Sequence, residues 1–374
     1  MIKILQVLAS TDRGGAESLL VSHLRYLDQG FHFDFINHME KKCDYDDEIR
    51  SYGCSIYHFP KFRILRIFSY IKAWNDFFIL HPVYDVVHVH YFTLAGIILP
   101  IARKHGVKVR IAHAHSTKKA NVFKRFLFNV FRTRMINSAT LLLACSQEAG
   151  LNLFQTNNFK VFINAIELVK FFYNEEDRCI IRKELGIKKE EILIGNVGSF
   201  RTTQKNHLRI IRIFAKLCEK YRNFKLVLVG DGLLRSKIEE NVRELGISNK
   251  VIFTGVRNDV SSLMSAMDLF FFPSLFEGLG IVAVEAQTSG LPVIMSTAVP
   301  QEASLTDIVT RIDLKEKNDT WVSALHQAAS LNHDRTQYQQ KIADSGYDVK
   351  SNVKILQSIY RNAILEYESC NSKR

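Results

Sequence analysis

Short runs of apolar residues alternate with longer segments of helical period along most of the chain. In the first half, the runs that predict buried strands are residues 3–8, 31–37, 55–59, 84–90, 108–113, 140–145 and 160–163. After about residue 180 the pattern restarts, and the predicted strands are residues 192–197, 224–229, 251–254, 269–272 and 292–295. This alternation predicts an α/β architecture in which helices cover both faces of parallel sheets.

Two such series in a chain of 374 residues indicate two doubly wound, Rossmann-like domains. We place the first at residues 1–170 and the second at 171–348, because a charged helical segment follows the last strand of the first series. The remainder, 349–374, is predicted to be helical through residue 367. No Gly/Ser-rich linker separates the series, so we expect closely apposed domains with the ligand site in the cleft between them.

The densest candidate chemistry follows a predicted strand of the second series. Glu277 and Glu285 stand eight residues apart, and Gly278, Leu279 and Gly280 lie between them where a helix should begin. Free amides at a helix start, with the positive end of its dipole, attract phosphate. We expect Glu277 in the loop and Glu285 about two turns into the helix, which suits a sugar joined to a nucleoside through a diphosphate. A solvated Glu and a helix-start Glu around a tight turn give the same pattern.

Two other glycine turns lie between a predicted strand and a predicted helix. Gly14 and Gly15 follow the first strand and let the backbone approach a phosphate, although a plain tight turn explains them equally well. They lack the Gly-x-Gly-x-x-Gly fingerprint of a nicotinamide dehydrogenase. In the second series Gly198 precedes Arg201 and Lys205. A cation at a helix start opposes the dipole unless an anion lies there, which favours a diphosphate role for Lys205.

Four histidines form two His-x-His pairs at the ends of predicted strands, His88 with His90 and His113 with His115. Strand alternation places the members of each pair on one face. Four imidazoles can bind zinc. No carboxylate or cysteine joins this pattern, however, and we expect no metal. His115 is the preferred candidate to face a sugar, whereas His88 and His90 are explained by packing.

The composition excludes several classes of protein. The chain is 47% hydrophobic and 24% charged, as in a globular protein, and its six cysteines form no Cys-x-x-Cys pair, which favours reduced thiols in the cytoplasm. The N-terminus reads as a strand rather than a signal peptide, and no apolar run is long enough to span a bilayer. Motifs of serine hydrolases, P-loop proteins and zinc proteases are absent from the sequence.

The net charge of +12 is concentrated in residues 61–134, which hold fourteen Lys or Arg against two acids. Such a field indicates an anionic partner. Within it, segments 61–80 and 118–135 combine basic side chains with apolar and aromatic ones, as helices at a membrane interface do. Core-facing helices with solvated basic faces explain them equally well. Nucleic acid is not expected, because no motif that binds it is present.

Several segments together resemble glycosyltransferase family 4, whose fold is GT-B. The similarity is closest to bacterial exopolysaccharide and capsule enzymes of the EpsF or CapM type, and it runs over nearly the whole chain. The stretches that carry it are residues 12–17, 111–116, 144–149, 164–167, 204–207, 228–232 and 276–286. The most specific of them is the last, with its two glutamates.

The resemblance implies that the chain transfers a sugar from a nucleotide-diphosphate donor, with retention and without a metal or other cofactor. Catalytic roles would fall to three residues: His115 beside the donor sugar, Lys205 at the diphosphate and Glu277 at the sugar hydroxyls. Glu285 would hold the ribose. The other donor contacts that it implies are the amides of Gly14, Gly15, Gly278, Leu279 and Gly280, the turn at Gly198 with Arg201, and Val256 and Arg257 near the base. The helix at 349–367 would cross back to the first domain.

Two positions depart from the family pattern. Ser199 stands where an Arg usually follows the glycine of the Gly198 turn, so Arg201 would have to reach the phosphates instead. Residues 164–167 read Asn-Ala-Ile-Glu, where Asn-Gly-Ile-Asp is commoner.

The resulting hypothesis is a transferase at the cytoplasmic face of the membrane. Its donor would be UDP-linked and its acceptor a lipid-diphosphate-linked saccharide, in exopolysaccharide, capsule or O-antigen synthesis. One alternative is a nucleotide-sugar 2-epimerase of similar fold, which would form product from the donor alone. The other is a weakly catalytic nucleotide-sugar-binding subunit of a polysaccharide assembly complex, a reading that Ser199 allows.

Overall fold

The computed structural model describes residues 1–115, 125–331 and 333–372. The chain forms two compact units. The first comprises Met1–Ile166 together with Val349–Arg374, and the second comprises Glu167–Asp348. The division at Ile166 lies a few residues before the boundary that the sequence pattern placed at 170.

The first unit is built on a seven-stranded parallel sheet of order β3-β2-β1-β4-β5-β6-β7. Its strands are β1 (Ile2–Val7), β2 (Phe31–Asn37), β3 (Ile56–His58), β4 (Val86–Val89), β5 (Val109–Ala114), β6 (Leu141–Ala144) and β7 (Lys160–Val161). Its helices are α1 (Gly15–Leu24), α2 (Asp46–Ser51), α3 (Ile67–Leu80), α4 (Phe92–Lys104), α5 (Arg125–Ser138) and α6 (Gln147–Phe154). Strand order reverses direction between β1 and β4, which makes their carboxyl ends a topological switch point.

A long helix from the C-terminus completes the first unit. This helix, α14 (Val349–Asn371), belongs to the same hydrophobic core as β1 and β2. Its Tyr360 is fully buried, and the Tyr360 ring lies 6.3 Å from the Phe33 ring in an edge-on contact. Burial of large aromatic side chains is the main force that fixes such a helix on a sheet.

The second unit holds a six-stranded parallel sheet of order β10-β9-β8-β11-β12-β13. Its strands are β8 (Ile192–Val197), β9 (Phe224–Val229), β10 (Val251–Gly255), β11 (Leu269–Phe272), β12 (Val293–Ser296) and β13 (Val309–Ile312). Its helices are α7 (Glu175–Glu184), α8 (His207–Lys220), α9 (Arg235–Glu244), α10 (Val260–Ala266), α11 (Ile281–Thr288), α12 (Asn318–Ala329) and α13 (Tyr338–Ile342). Here the switch point lies between β8 and β11.

The two parallel sheets confirm the predicted α/β class, and two details differ from the sequence pattern. Strand β13 has no counterpart among the predicted strands, because Thr310 and Arg311 interrupt the apolar residues of its sequence Val-Thr-Arg-Ile. Helix α11 begins at Ile281, so Glu285 lies about one turn into it rather than two. Within the described residues, the helices are all too short or too polar to cross a bilayer.

Candidate functional site

The loops that follow β8 and β11 are joined at the switch point of the second sheet. Only two residue pairs connect β8 with β11, so the strands diverge beyond Gly195. The Asn196 side chain spans the gap and donates to the Phe271 carbonyl at 2.8 Å. Farther out, the Asn206 side chain donates to the Pro273 carbonyl at 3.0 Å, and the Leu275 amide donates to the Gln204 carbonyl at 2.8 Å. The two loops are therefore held together before any ligand arrives.

The centre of this arrangement is an ion pair between Lys205 and Glu277. Lys205 Nζ lies 2.9 Å from Glu277 Oε1, and the Gln204 amide donates to Glu277 Oε2 at 3.1 Å. The two charged side chains are only 17% and 7% exposed. Lys205 Nζ also lies 4.6 Å from the centre of the Phe272 ring, a cation–π contact. A cation and a carboxylate, separated by 72 residues in sequence, are thus oriented in one water-poor position.

Gly198 allows Lys205 to take this position. A Cβ atom at Gly198 would lie 2.8 Å from Lys205 Cγ, so a side chain there would push the lysine stem aside. Arg201, three residues on, is exposed, and its backbone amide donates to Ser199 Oγ at 3.3 Å. The predicted phosphate turn therefore brings Gly198 and Lys205 together, while the Arg201 side chain points to solvent.

The turn before α11 depends on Gly280. This residue caps the helix with φ +85°, a conformation that side chains disfavour. A Cβ atom there would also lie 2.9 Å from Val299 Cγ1. Leu279 is buried beside it. The turn presents the first amides of α11 next to Glu277.

Glu285 lies one turn into α11, inside the electrostatic reach of the same lysine. Burial raises the pKa of Glu285 from 4.5 to about 7, and the charge of Lys205 opposes that rise. A carboxylate that is costly to ionise in the free protein gains most from hydroxyl groups that donate hydrogen bonds to it. Lys205 therefore pairs with Glu277 and lies close enough to Glu285 to affect its pKa, so the three residues lie in one region of the second unit.

Val256 and Arg257, the two residues expected near the base, differ in their surroundings. Val256 is 69% exposed at the end of β10. The Arg257 guanidinium pairs with Glu184 at 2.6 Å and with Asp259 at 2.6 Å, and these partners raise its pKa. Arg257 is therefore committed to two carboxylates of its own unit, and its backbone is better placed than its charge to meet a ligand.

In the first unit, Gly14 and Gly15 form the start of α1, with Gly14 as its extended cap. A Cβ atom at Gly14 would overlap the carboxylate of Glu17, which folds back against the turn. Burial raises the pKa of Glu17 to about 7, and Asp12 adds to that rise. This carboxylate lies at the amides that we expected to meet a phosphate, and the sequence reasoning did not single it out as a site residue. Its position in the first turn of α1 is the signal that could have found it.

The two His-x-His pairs meet at the carboxyl ends of β4 and β5. Ring centres of His88 and His90 are 4.1 Å apart, and those of His113 and His115 are 3.9 Å apart. Nitrogen atoms of His88, His90 and His113 lie within 4.8 Å of one another, close enough for a metal ion. Burial lowers the pKa of all four histidines, that of His115 to about 4, so the cluster is neutral near pH 7.

The cluster includes two polar residues that the sequence reasoning overlooked. The Gln6 side chain contacts His90 Nε2 at 2.8 Å and the Tyr360 hydroxyl at 3.1 Å, and Tyr360 contacts His88 Nδ1 at 2.8 Å. A glutamine in the apolar second half of strand β1 is the signal that could have revealed Gln6. Tyr360 arrives from α14, more than 350 residues along the chain from Gln6.

The basic segment 61–80 has both an inner and an outer face. Tyr70 and Trp74 are buried, whereas Leu65 is 95% and Phe68 84% exposed among exposed basic side chains. Of the second segment, 118–135, residues 118–124 lie outside the described part of the chain. Its helix α5 packs closely on α4, where a Cβ atom at Gly96 would overlap the α5 backbone at Phe131. The described part of 118–135 is thus a helix packed on α4, although Val130 is 40% exposed on it and Arg134 is exposed nearby.

Two family models match most of the chain between them. One, for glycosyl transferases group 1, matches residues 177–347, and the other, for Glycosyltransferase Family 4, matches residues 13–160. Among curated proteins, EpsF of Bacillus subtilis, named as a glycosyltransferase, is 32% identical over 369 residues, which is 96% of each chain.

Two further proteins bear on the chemistry. A UDP-Gal:alpha-D-GlcNAc-diphosphoundecaprenol alpha-1,3-galactosyltransferase of Escherichia coli is 27% identical over 250 residues, which is 62% of this chain and 64% of that protein. The structure of HepE from Anabaena, solved in complex with UDP, matches 96% of this chain and 99% of that one with a TM-score of 0.77 at 19% identity. The latter likeness supports the GT-B fold.

Proposed function

This chain belongs to glycosyltransferase family 4, and on that premise we propose that it transfers a hexose, with retention, from a UDP-linked donor to a lipid-diphosphate-linked saccharide. EpsF supports glycosyl transfer, and CapH of Staphylococcus aureus, which is named a capsular polysaccharide biosynthesis glycosyltransferase and is 24% identical over 374 residues, supports a role in polysaccharide synthesis. The observation that carries a diphosphate-linked sugar donor is the Lys205–Glu277 pair at the switch point between β8 and β11. Ligands of doubly wound sheets bind at such points.

The donor diphosphate would lie between Lys205 and the first amides of α11. Lys205 is largely shielded from solvent, with 17% of its side chain exposed, whereas Arg201 is exposed. On binding, Lys205 would move from Glu277 towards the phosphates, with the amides of Gly278, Leu279 and Gly280 completing the contact. Glu277, freed from the lysine, would accept hydrogen bonds from hydroxyls of the sugar.

The nucleoside would extend from the diphosphate towards Glu285 and the end of β10. Glu285 would accept hydrogen bonds from the two ribose hydroxyls, and its ionised form is the one that they stabilise. Val256 and the backbone of Arg257 would lie beside the base. Support for a UDP donor comes from HepE, whose structure holds UDP, and from the galactosyltransferase, whose name specifies UDP-Gal.

The reaction places negative charge on the departing diphosphate and positive character on the sugar. Lys205 and the amides would stabilise the first in a site where few waters weaken them. A diphosphate leaves readily, so no protonating acid is required, and its own oxygen can take the proton of the acceptor hydroxyl. His115, which burial keeps neutral, would contact the sugar without adding a second positive charge to it.

We assign neither a metal nor another cofactor to this reaction. Lys205 and the helix amides supply the positive charge that a metal ion would otherwise bring. The histidine nitrogens that come closest to one another are engaged with each other and with Gln6 and Tyr360, so a metal ion would have to displace those hydrogen bonds.

The acceptor would be reached at the cytoplasmic surface of the membrane. Leu65 and Phe68 are apolar side chains with little contact to the protein, and Lys61, Arg63 and Arg66 beside them are exposed. Burying each apolar side chain in lipid is worth about 2 kcal/mol, and each basic residue near anionic lipid about 1 kcal/mol. The lipid-linked acceptor named for the galactosyltransferase relative supports this placement.

The test supplies UDP-hexoses with and without a polyprenyl-diphosphate saccharide and follows the products by NMR. Without the acceptor, we expect no new sugar nucleotide. With the acceptor, we expect a glycosidic product that keeps the anomeric configuration of the donor. Product from donor alone would favour the 2-epimerase. Donor binding without any transfer would favour the binding subunit that Ser199 makes conceivable.

A further inference from the structure

Asn206, directly after Lys205, adopts a backbone conformation that most side chains disfavour. Its φ of +60° and ψ of +37° lie in the left-handed region, where glycine is the favoured residue. Among the described residues, Gln155 is the only other non-glycine residue with a positive φ. Asparagine tolerates this region better than most residues do, and unlike glycine it brings a side-chain amide.

That conformation fixes how the chain passes from Lys205 into α8. The Asn206 amide donates to the Thr203 carbonyl at 2.9 Å, which closes the short turn that carries Lys205. The Asn206 carbonyl accepts from the amides of Arg209 and Ile210, at 2.9 and 3.1 Å, in the first turn of α8. The left-handed residue therefore sets the direction in which the Lys205 side chain leaves the backbone.

The Asn206 side chain ties this turn to the loop after β11. Its Nδ2 donates to the Pro273 carbonyl at 3.0 Å, and the orientation of the amide is unambiguous because a carbonyl oxygen can only accept. Pro273 follows β11 directly and lies four residues before Glu277. Lys205 and its ion-pair partner Glu277 thus each lie close in sequence to one end of this hydrogen bond.

We propose that Asn206 is a positioning residue that holds the Lys205 ammonium group at the donor diphosphate, through its left-handed backbone and its hydrogen bond to Pro273. A lysine side chain has several rotatable bonds, so tying its backbone to the facing loop limits the positions that the ammonium group reaches. The Leu275 amide, which donates to the Gln204 carbonyl, is a second tie that no substitution of Asn206 removes. The inference rests on the proposed function for the diphosphate, although the position of Lys205 is testable without it.

Two substitutions separate the backbone conformation from the side-chain tie. Asn206→Gly keeps the left-handed backbone without strain and removes the hydrogen bond to Pro273. Asn206→Asp keeps the size of the side chain and replaces the donor by a carboxylate oxygen, which the Pro273 carbonyl repels. Gln155→Gly, at the other left-handed residue, is the matched control, because Gln155 is exposed and belongs to the first unit. Thermal melting checks that each variant folds.

Proton–carbon NMR of lysine-labelled protein reads the position of Lys205 in the absence of any ligand. Lys205 Nζ lies 4.6 Å from the centre of the Phe272 ring, so the ring current displaces the signals of the neighbouring methylene protons from those of exposed lysines. The Lys205 signal is assigned from its loss in Lys205→Ala. We expect the displacement to decrease in Asn206→Gly and in Asn206→Asp, and to stay at the wild-type value in Gln155→Gly.

Calorimetric titration of UDP and of uridine tests whether the tie acts through Lys205. In Asn206→Gly the preference for UDP over uridine should fall about tenfold, the effect of one hydrogen bond to a charged group. In Lys205→Ala, the added Asn206→Gly change should lower this preference no further, because two residues that act through one group are not additive. A tie that only supports the fold would give the same loss in both backgrounds.

Three results would overturn the inference. They are a Lys205 signal in Asn206→Gly identical to that of the wild type, an unchanged preference for UDP in that variant, and an equal loss of preference with and without Lys205. A wild-type protein that binds UDP no more tightly than uridine would instead contradict the proposed function, and the NMR comparison would still decide whether Asn206 positions Lys205.

Discussion

Replacing Glu285 by Gln should stabilise the free protein and weaken its hold on the donor. Burial, opposed by Lys205, raises the pKa of this carboxyl from 4.5 to about 7. At a pH between these two pKa values, Glu285 is protonated in the folded protein but not in the unfolded chain, so the folded state loses stability as the pH rises. This difference in pKa between the folded and unfolded states lowers the free energy of unfolding by about 3 kcal/mol at pH 8, where the carboxylate is charged in both states.

In Glu285→Gln the side chain is uncharged, so the folded state does not bear the cost of a buried negative charge. Because a domain of this size gains about 2–4 °C in melting temperature per kcal/mol, the variant should melt several degrees above the wild type at pH 8. The difference should shrink to little near pH 5. Glu244→Gln, which alters an exposed carboxylate of α9, should show no such pH-dependent difference.

The same substitution removes the proposed partner of the ribose hydroxyls. Hydrogen bonds to a charged group are worth about 1.5–3 kcal/mol, so UDP-glucose should bind the variant about 10- to 100-fold more weakly in calorimetric titration at pH 8. A Gln variant that melts below the wild type at pH 8, or that binds UDP-glucose with unchanged affinity, would refute this account of Glu285.

Two further changes test the turn and the surface. Gly280→Ala should lower the free energy of unfolding by about 1–2 kcal/mol, measured in urea, since it forces a side chain into the left-handed region and towards Val299; unchanged stability would show that the turn relaxes. Leu65→Ser with Phe68→Ser should weaken sedimentation with anionic vesicles at least tenfold without changing the melting temperature, because both side chains are exposed; equal binding by the double variant would contradict the membrane assignment.

The sequence pattern was sufficient for elements that depend on local chemistry. Runs rich in apolar residues predicted the strands β1 to β12, since most of these strands are buried and have few polar positions. The glycine turns at Gly198 and Gly280 and the carboxylates near them were identifiable because their order along the chain is itself the motif. Strand β13 was missed, because Thr310 and Arg311 divide its four residues and leave no apolar run.

Contacts between distant residues could not be read in the same way. The sequence around Lys205 does not indicate that its ion-pair partner is Glu277, 72 residues later. Nor does it indicate that Arg257 forms an ion pair with Glu184. The neutral state of the histidine cluster likewise depends on burial that only the folded sheet provides. Those features follow from which strand ends the topology brings together.

The central claim is that the second unit grips the diphosphate of a nucleotide sugar through Lys205. Calorimetric titration of UDP and of uridine into the wild type and into Lys205→Ala tests it most directly, with Lys189→Ala, an exposed lysine, as the control. We expect UDP to bind the wild type and the control at least about 100-fold more tightly than uridine, since charge-assisted phosphate contacts are strong. In Lys205→Ala that ratio should fall at least tenfold while the protein stays folded by thermal melting. An unchanged preference for UDP over uridine in folded Lys205→Ala would contradict the claim.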